Sequence, residues 1–308
     1  GPEYVFSQRS NFVDINNDGH LDAYVCHDVE PSVFYINDGE GNLEYFQGGL
    51  GDYPSGGHYG SVWLDFDNDR DVDMFIAKCG GESERRDNEM HVNNGDGTFT
   101  ESGASLNLED DMQTWSSAWA DYDNDGDPDL LICGQTADKT SSVSRFYQND
   151  PIGRLTELTS ADGIGGLKAG TFLFTDLDAD GDQDIIMSGW NKIQGKLLTW
   201  ILRNEPLGTF TPIANQIDFG VAYGSIDAMD YNLDGLKDFV ISGADSVSQH
   251  AGVVHSLSGR VYVNNGDGTF SSALEIPGAR TTKFMDVNHD SIPDLVSSGT
   301  TEFGNDSL

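Results

Sequence analysis

Short apolar runs flank six acidic turns and alternate with polar segments at an even spacing along the whole chain. The runs that lead into the turns are Asn11-Phe12-Val13, Val62-Trp63-Leu64, Ala118-Trp119-Ala120, Phe172-Leu173-Phe174, Ile226 to Met229 and Lys283-Phe284-Met285. The runs that leave them are Ala23 to Cys26, Met74 to Ala77, Leu130 to Cys133, Ile185 to Met187, Phe239 to Ile241 and Leu295-Val296. Bounded apolar runs this short predict buried strands rather than helices. Each acidic turn therefore joins two strands of a hairpin. A third strand is predicted near Val33, His91, Phe146, Trp200 and Val261, and a fourth near Leu43, Phe99, Leu155, Phe210 and Phe270. Asp-Gly or Asn-Gly pairs at Asp38, Asn94 and Asn265 supply the hairpin turns between them. Four strands per repeat of about 54 residues predict an all-β fold, a β-propeller of six to seven four-stranded blades. The expected organisation is a single propeller domain over residues 1–308, with repeats starting near residues 8, 59, 115, 170, 224 and 280. The sixth repeat stops before its third-strand motif, and Glu3 to Phe6 are available to close the ring as an outer strand of the last blade.

The turns carry the chemistry. They begin at Asp14, Asp65, Asp121, Asp176, Asp230 and Asp286, which are 51, 56, 55, 54 and 56 residues apart, and a fixed period of this size marks a repeat architecture. Numbered from that first Asp, positions 1, 3, 5 and 9 are Asp or Asn in all six copies, and position 6 is Gly in four. Alternating oxygen side chains on a tight loop surround a hard cation, and Ca2+ takes six to eight oxygens. Gly at position 6 permits the sharp turn that returns position 9 to the ion. Position 7 varies freely, as a main-chain carbonyl ligand allows. The candidate ligands are Asp14, Asn16, Asp18, His20 and Asp22 in loop 1, and Asp65, Asp67, Asp69, Asp71 and Asp73 in loop 2. Loop 3 offers Asp121, Asp123, Asp125, Asp127 and Asp129, and loop 4 offers Asp176, Asp178, Asp180, Asp182 and Asp184. Loop 5 offers Asp230, Asn232, Asp234, Leu236 and Asp238, and loop 6 offers Asp286, Asn288, Asp290, Ile292 and Asp294. Up to six calcium ions are expected, in loops between strands 1 and 2 of the blades. An EF-hand is excluded, since it closes with Glu at position 12 between helices. Zn2+ would call for Cys or His, and Mg2+ for fewer carboxylates. Arg70 and Ser291 replace the position-6 Gly, so loops 2 and 6 are expected to bind more weakly.

Charge fits this picture. The 308 residues carry a formal charge of −36, and 24 of the 52 acids lie in the six loops. This balance argues against nucleic acid, which needs basic patches, and against anionic membrane surfaces. No hydrophobic run reaches membrane-spanning length, so no membrane insertion is expected. Sites of this kind fill where calcium is about millimolar, which points to an extracellular or cell-surface setting. A site with a Kd of about 0.1 mM would then add about 1.4 kcal/mol. Three cysteines cannot all pair, and Cys26 and Cys133 stand where Ser188, Ser242 and Ser298 stand in other repeats. They read as small buried residues.

At these residues the chain resembles a known family. The pattern DxDxDGxxD followed by YxNNGDGTF, closest in Ser116 to Asp129, is similar to the FG-GAP/VCBS repeat of integrin α-like propellers, bacterial surface proteins, some fungal lectins and some polysaccharide lyases. The resemblance covers nearly the whole chain. It implies ion loops gathered on one face and ligand-binding loops on the other. It also implies recognition of a glycan or a protein partner, as in adhesion and carbohydrate binding. On the second face the candidates are Tyr53, His58, Tyr59, Arg85, Trp115 and Trp190, whose aromatic faces and polar groups suit a sugar or a protein surface. A polysaccharide lyase on the same scaffold is the enzymatic alternative, with His58, His250 or His255 as base. A third alternative is a structural part of a larger surface assembly. No nucleophile elbow, zinc motif or P-loop is present.

Overall fold

The computed structural model describes all residues except 1–4, 52–55, 81–84, 138–141, 151–152, 159–166, 192–193, 206–207, 214–216, 248–253, 303–304 and 308. The described residues form strands in six antiparallel sheets, each a meander of consecutive strands. The first three are β1 (Ser7–Val13), β2 (Asp22–His27), β3 (Val33–Asn37) and β4 (Leu43–Gln47); β5 (His58–Leu64), β6 (Asp73–Lys78), β7 (Glu89–Asn93) and β8 (Phe99–Glu101); and β9 (Gln113–Ala120), β10 (Asp129–Gln135), β11 (Ser142–Asp150) and β12 (Arg154–Leu158). Next come β13 (Leu167–Thr175), β14 (Asp184–Asn191), β15 (Lys196–Glu205) and β16 (Thr209–Pro212); and β17 (Ala222–Met229), β18 (Asp238–Val247), β19 (Val254–Asn264) and β20 (Phe270–Pro277). The sixth sheet has three strands, β21 (Ala279–Met285), β22 (Asp294–Glu302) and β23 (Asn305–Ser307). Fourth strands begin within one residue of their expected positions. Of the segment expected to close the ring, Glu3 and Tyr4 lie outside the described residues, and Val5 and Phe6 are not in a strand.

The chain divides into two compact units, Gly1–Ser117 with Gly126–Thr159, and Ala118–Asp125 with Ser160–Leu308. In the first unit, second strands are the core: every residue of β6 and β10 is buried. Covered on both faces, they read as unbroken apolar runs rather than alternating ones. One cluster joins Val13, Tyr24 and Cys26 of the first sheet to Met74 and Ile76 of the second, with Trp63 packed against it. The Tyr24 and Trp63 rings meet edge to face at 5.4 Å. In the second unit, Ile186, Ile201, Ile226, Phe239, Ile241 and Tyr262 form the corresponding cluster, and Phe284 packs with Val240 and Val261 in a smaller one. Trp63 and Phe284, each two residues before an acidic loop, therefore pack against the preceding sheet, whereas Phe12 in the first sheet is exposed. Cys26 and Cys133 are buried free thiols, and Cys79 is a half-buried one.

First and second strands share a bulge, for example between Lys168 and Thr171 and between Ala222 and Ser225. Gly170 and Gly224 sit in those bulges, where a Cβ would lie 1.8 Å from the Ser188 carbonyl oxygen and 1.9 Å from that of Ser242. No larger residue fits without moving the backbone.

Candidate metal centres

Each acidic loop joins the first and second strands of its sheet, and its backbone follows one plan. Position 6 has positive φ in all six copies, at Gly19, Arg70, Gly126, Gly181, Gly235 and Ser291. Arg70 (φ 80°) and Ser291 (φ 68°) adopt the glycine conformation and carry its strain. Position 4 also has positive φ throughout, at Asn17, Asn68, Asn124, Ala179, Leu233 and His289. The first Asp caps this double turn. Asp14 accepts from the Asp18 and Gly19 amides at 3.0 and 2.7 Å, and Asp230 from those of Asp234 and Gly235 at 3.0 and 2.9 Å. Asp286 does the same for Asp290 and Ser291 at 3.0 and 2.8 Å.

Position 9 does more than close the loop. Asp73 is fully buried; one of its oxygens accepts the Phe66 amide at 2.8 Å and the other the Asn93 amide at 2.7 Å. Asp22, Asp184 and Asp238 repeat the pattern with Ile15 and Asn37, Leu177 and Asn204, and Tyr231 and Asn264. This carboxylate pins the acidic loop to the end of the third strand. The Asn at that end reaches further. The side-chain amide of Asn149 donates to the Phe66 carbonyl at 2.7 Å, that of Asn204 to Tyr122 at 2.5 Å and that of Asn264 to Leu177 at 2.6 Å. Each bond staples a sheet to position 2 of the loop before it. Asn93 and Asn264 also use their carbonyl oxygens, on the amides of Gly95 and Gly266. The buried carbonyl oxygens of Asn149 and Asn204 have no such partner. Two residues after them the sequence has Pro151 and Pro206, which offer no N–H.

Loops 2 and 4 hold three carboxylates each, Asp65, Asp67 and Asp73, and Asp176, Asp178 and Asp184, with one oxygen from every member within 4.8 Å of the others. Oδ1 of Asp65, Asp67 and Asp178 is buried without a hydrogen-bond partner. Burial, with smaller contributions from Asp67 and Asp69, pushes Asp73 up to about 7, and burial also raises Asp67. Asp184 rises to about 6 for the same reason, and burial lifts Asp178. Buried, mutually repelling oxygens of this kind fit a hard divalent cation and would hold it through positions 1, 3 and 9. Asp69 and Asp180 accept the amides of Asp71 and Asp182 at 2.9 Å. Loop 3 carries the same residue types, and in it Asp121 accepts the Asp125 amide at 3.1 Å while Asp129 accepts that of Asn149 at 2.9 Å. Loops 1 and 5 differ. The side-chain amides of Asn16 and Asn232 donate to Asp18 and Asp234 at 2.9 and 2.8 Å, so a carboxamide supplies part of what a cation would. In loop 6 the Asn288 carbonyl oxygen accepts the Asp290 amide at 2.9 Å. Position 3 thus divides the loops, where the sequence had directed attention to position 6.

One sequence expectation needs correction. The sequence makes position 7 a main-chain ligand whose side chain is immaterial. Asp71 accepts the Asn17 side-chain amide at 2.7 Å, and Asp127 and Asp182 accept those of Asn68 and Asn124. The side chain links neighbouring loops at these three positions. His20, Leu236 and Ile292 have no such bond among the described residues.

The sequence profile of the FG-GAP-like repeat matches residues 14–76, 65–132 and 176–241, together more than half of the chain. The chain belongs to the FG-GAP-like repeat family. Comparison with curated proteins found no match. Among solved structures, BBS1N in complex with ARL6DN, soaked with lead, superposes with a TM-score of 0.54 at 9% identity over 96% of this chain and 78% of that one. The same complex soaked with mercury gives 0.53 at 9% identity over 96% and 77%. The endo-arabinase from Bacteroides thetaiotaomicron VPI-5482 gives 0.42 at 12% identity over 89% and 94%. The BBS1N likeness is one of fold, and the sheets of these FG-GAP repeats are β-propeller blades, with the acidic loops between their first and second strands.

The residues expected to meet a ligand are placed differently from one another. Tyr53 lies outside the described residues, as does His250, and the side chain of His255 is not described. Tyr59, Arg85, Trp115 and Trp190 are half-buried. His58 is fully buried, at the opposite end of β5 from loop 2. Its Nδ1 lies 2.9 Å from the His27 carbonyl oxygen, which can only accept, so that nitrogen carries the proton. Its Nε2 lies 3.7 Å from Glu89, which also binds Lys78 and His91 at 2.8 Å. Burial alone would raise Glu89, but the neighbouring His58, the hydrogen bond from His91 and the Lys78 charge hold it below the usual carboxylate range. His58 thus belongs to a buried ionic cluster.

Proposed function

We propose that the FG-GAP repeats form one calcium-stabilised propeller that recognises a ligand outside the cell or on its surface. The contacts would come from the loops at the end of each blade remote from the acidic turns, where Tyr59, Trp115 and Trp190 offer partly exposed rings. The observation that carries the reading is the set of buried carboxylate oxygens at Asp65, Asp67 and Asp178 that lack a hydrogen-bond partner. A buried carboxylate oxygen left without a partner is costly, and a divalent cation supplies positive charge to several at once. Calcium at the level found outside cells would rigidify the scaffold on which the variable loops sit. The ligand is a glycan or a protein partner. BBS1N engages ARL6DN, which is a precedent for protein docking on this fold. A glycan array and a panel of purified surface proteins, each probed with and without calcium, test the proposal. Binding that EDTA abolishes is expected. A chain whose melting temperature and metal content do not respond to millimolar calcium would overturn it.

A further inference from the structure

We propose that Asn17, Asn68 and Asn124 are positioning residues that couple loop 1 to loop 2, loop 2 to loop 3 and loop 3 to loop 4, so that these neighbouring loops take up calcium cooperatively. The inference rests on the calcium reading and adds to it a regulation of the same sites. Position 4 is left-handed in all six loops, and Asn is one of the few side chains that tolerate this backbone well. Loops 1, 2 and 3 have Asn there. Its amide donates to Asp71, Asp127 and Asp182, the position-7 residues of loops 2, 3 and 4. Loops 4 and 5 have Ala179 and Leu233 at position 4 instead, and loops 5 and 6 have Leu236 and Ile292 at position 7. Donor and acceptor disappear together. The bond in the structure and this joint loss along the sequence are separate observations with one explanation.

Position 4 stands between two ligand positions, and position 7 would offer its main-chain carbonyl to the ion. A bridge between them ties the ligand-bearing backbone of one loop to that of the next. A loop whose neighbour is already ordered has less conformational freedom left to lose on binding. These bonds are charge-assisted, and most of them are exposed. The coupling therefore falls at the small end of the usual range, about fivefold in affinity per bridge. Loops 5 and 6 lack the bridge and are expected to fill independently.

Calcium titration of the full chain, followed through the Gly19 amide resonance as a reporter of loop 1, tests this. Asp65→Ala disables loop 2 and is expected to move the Gly19 midpoint to about fivefold higher calcium. In an Asn17→Asp background, which keeps a residue suited to left-handed backbone but removes the donor, Asp65→Ala should move it no further. Asp71→Asn weakens the bridge without removing a candidate side-chain ligand, so it remains informative if Asp65→Ala fails to fold. It should shift the Gly19 midpoint in the same direction. A midpoint indifferent to both Asp65→Ala and Asp71→Asn would overturn the coupling. A Gly19 amide that never responds to calcium in the unaltered chain is a distinct result, and it would overturn the calcium reading on which the coupling rests.

Discussion

Loops 2 and 5 share a backbone plan, and at position 3 one has a carboxylate where the other has a carboxamide. In loop 2 the Asp67 carboxylate has a buried, unpartnered oxygen and clusters with Asp65 and Asp73. In loop 5 the Asn232 carboxamide donates 2.8 Å to Asp234 and closes the turn on itself. The first arrangement leaves a deficit of positive charge at its centre, and the second makes up part of it internally. On the calcium reading, the same fold carries loops expected to depend strongly on an ion and loops expected to depend on it less.

Stripping the ion is expected to have the largest effect. EDTA should lower Tm reversibly by roughly 10 °C, from about 1.4 kcal/mol per filled site at millimolar calcium. Scanning calorimetry with and without added calcium measures it. If loops 2 and 4 dominate, Asp67→Ala and Asp178→Ala should each remove more of that stabilisation than Asn232→Ala.

The contrast also has a pH signature. Asp73 is raised to about 7 and Asp184 to about 6, so the metal-free fold binds these protons more tightly than the unfolded chain does. Stability from that difference is present in full below about pH 4, the unfolded carboxylate range, and is lost as pH rises through about 6 to 7. Metal-free Tm should therefore fall between about pH 5 and 7. With calcium, which needs the ionised carboxylates, it should rise over the same interval. Parallel thermal melts across that range, with and without the ion, separate the two cases.

Position 3 is the next largest lever. Asp67→Asn should weaken loop 2 about tenfold, and Asn232→Asp should strengthen loop 5 by a similar factor, because ligand charge tunes calcium affinity. Calorimetric titration reads both. The smallest effect is expected at loop 4. Arg203 Nε lies 2.9 Å from Asp178 and competes for one of its oxygens. Arg203 is partly exposed, so Arg203→Gln should tighten that site by only about two- to fivefold.

Much of this was legible in the sequence because the repeat reports itself six times. Strand order, the start of each fourth strand and the glycine-like turn at position 6 all follow from period and residue type. Other features were hidden for physical reasons. Ala179, Leu233 and His289 carry no mark of left-handed backbone; the framework imposes it. The staples from Asn149, Asn204 and Asn264 join residues more than 80 apart, which no local pattern predicts. The pinning role of Asp73 was concealed because an acid suited to ligation and an acid that pins two amides look alike in sequence. His58, placed by sequence among exposed residues, is buried by Lys78 and Glu89, two charged residues that would ordinarily signal surface.

The acidic turns with Asp at position 3 are expected to grip divalent ions most firmly. Anomalous diffraction from crystals grown in millimolar calcium tests it most directly. Peaks are predicted between Asp65, Asp67 and Asp73 and between Asp176, Asp178 and Asp184, with weaker ones in loops 1 and 5. A map with no peak among either set of carboxylates would contradict the account.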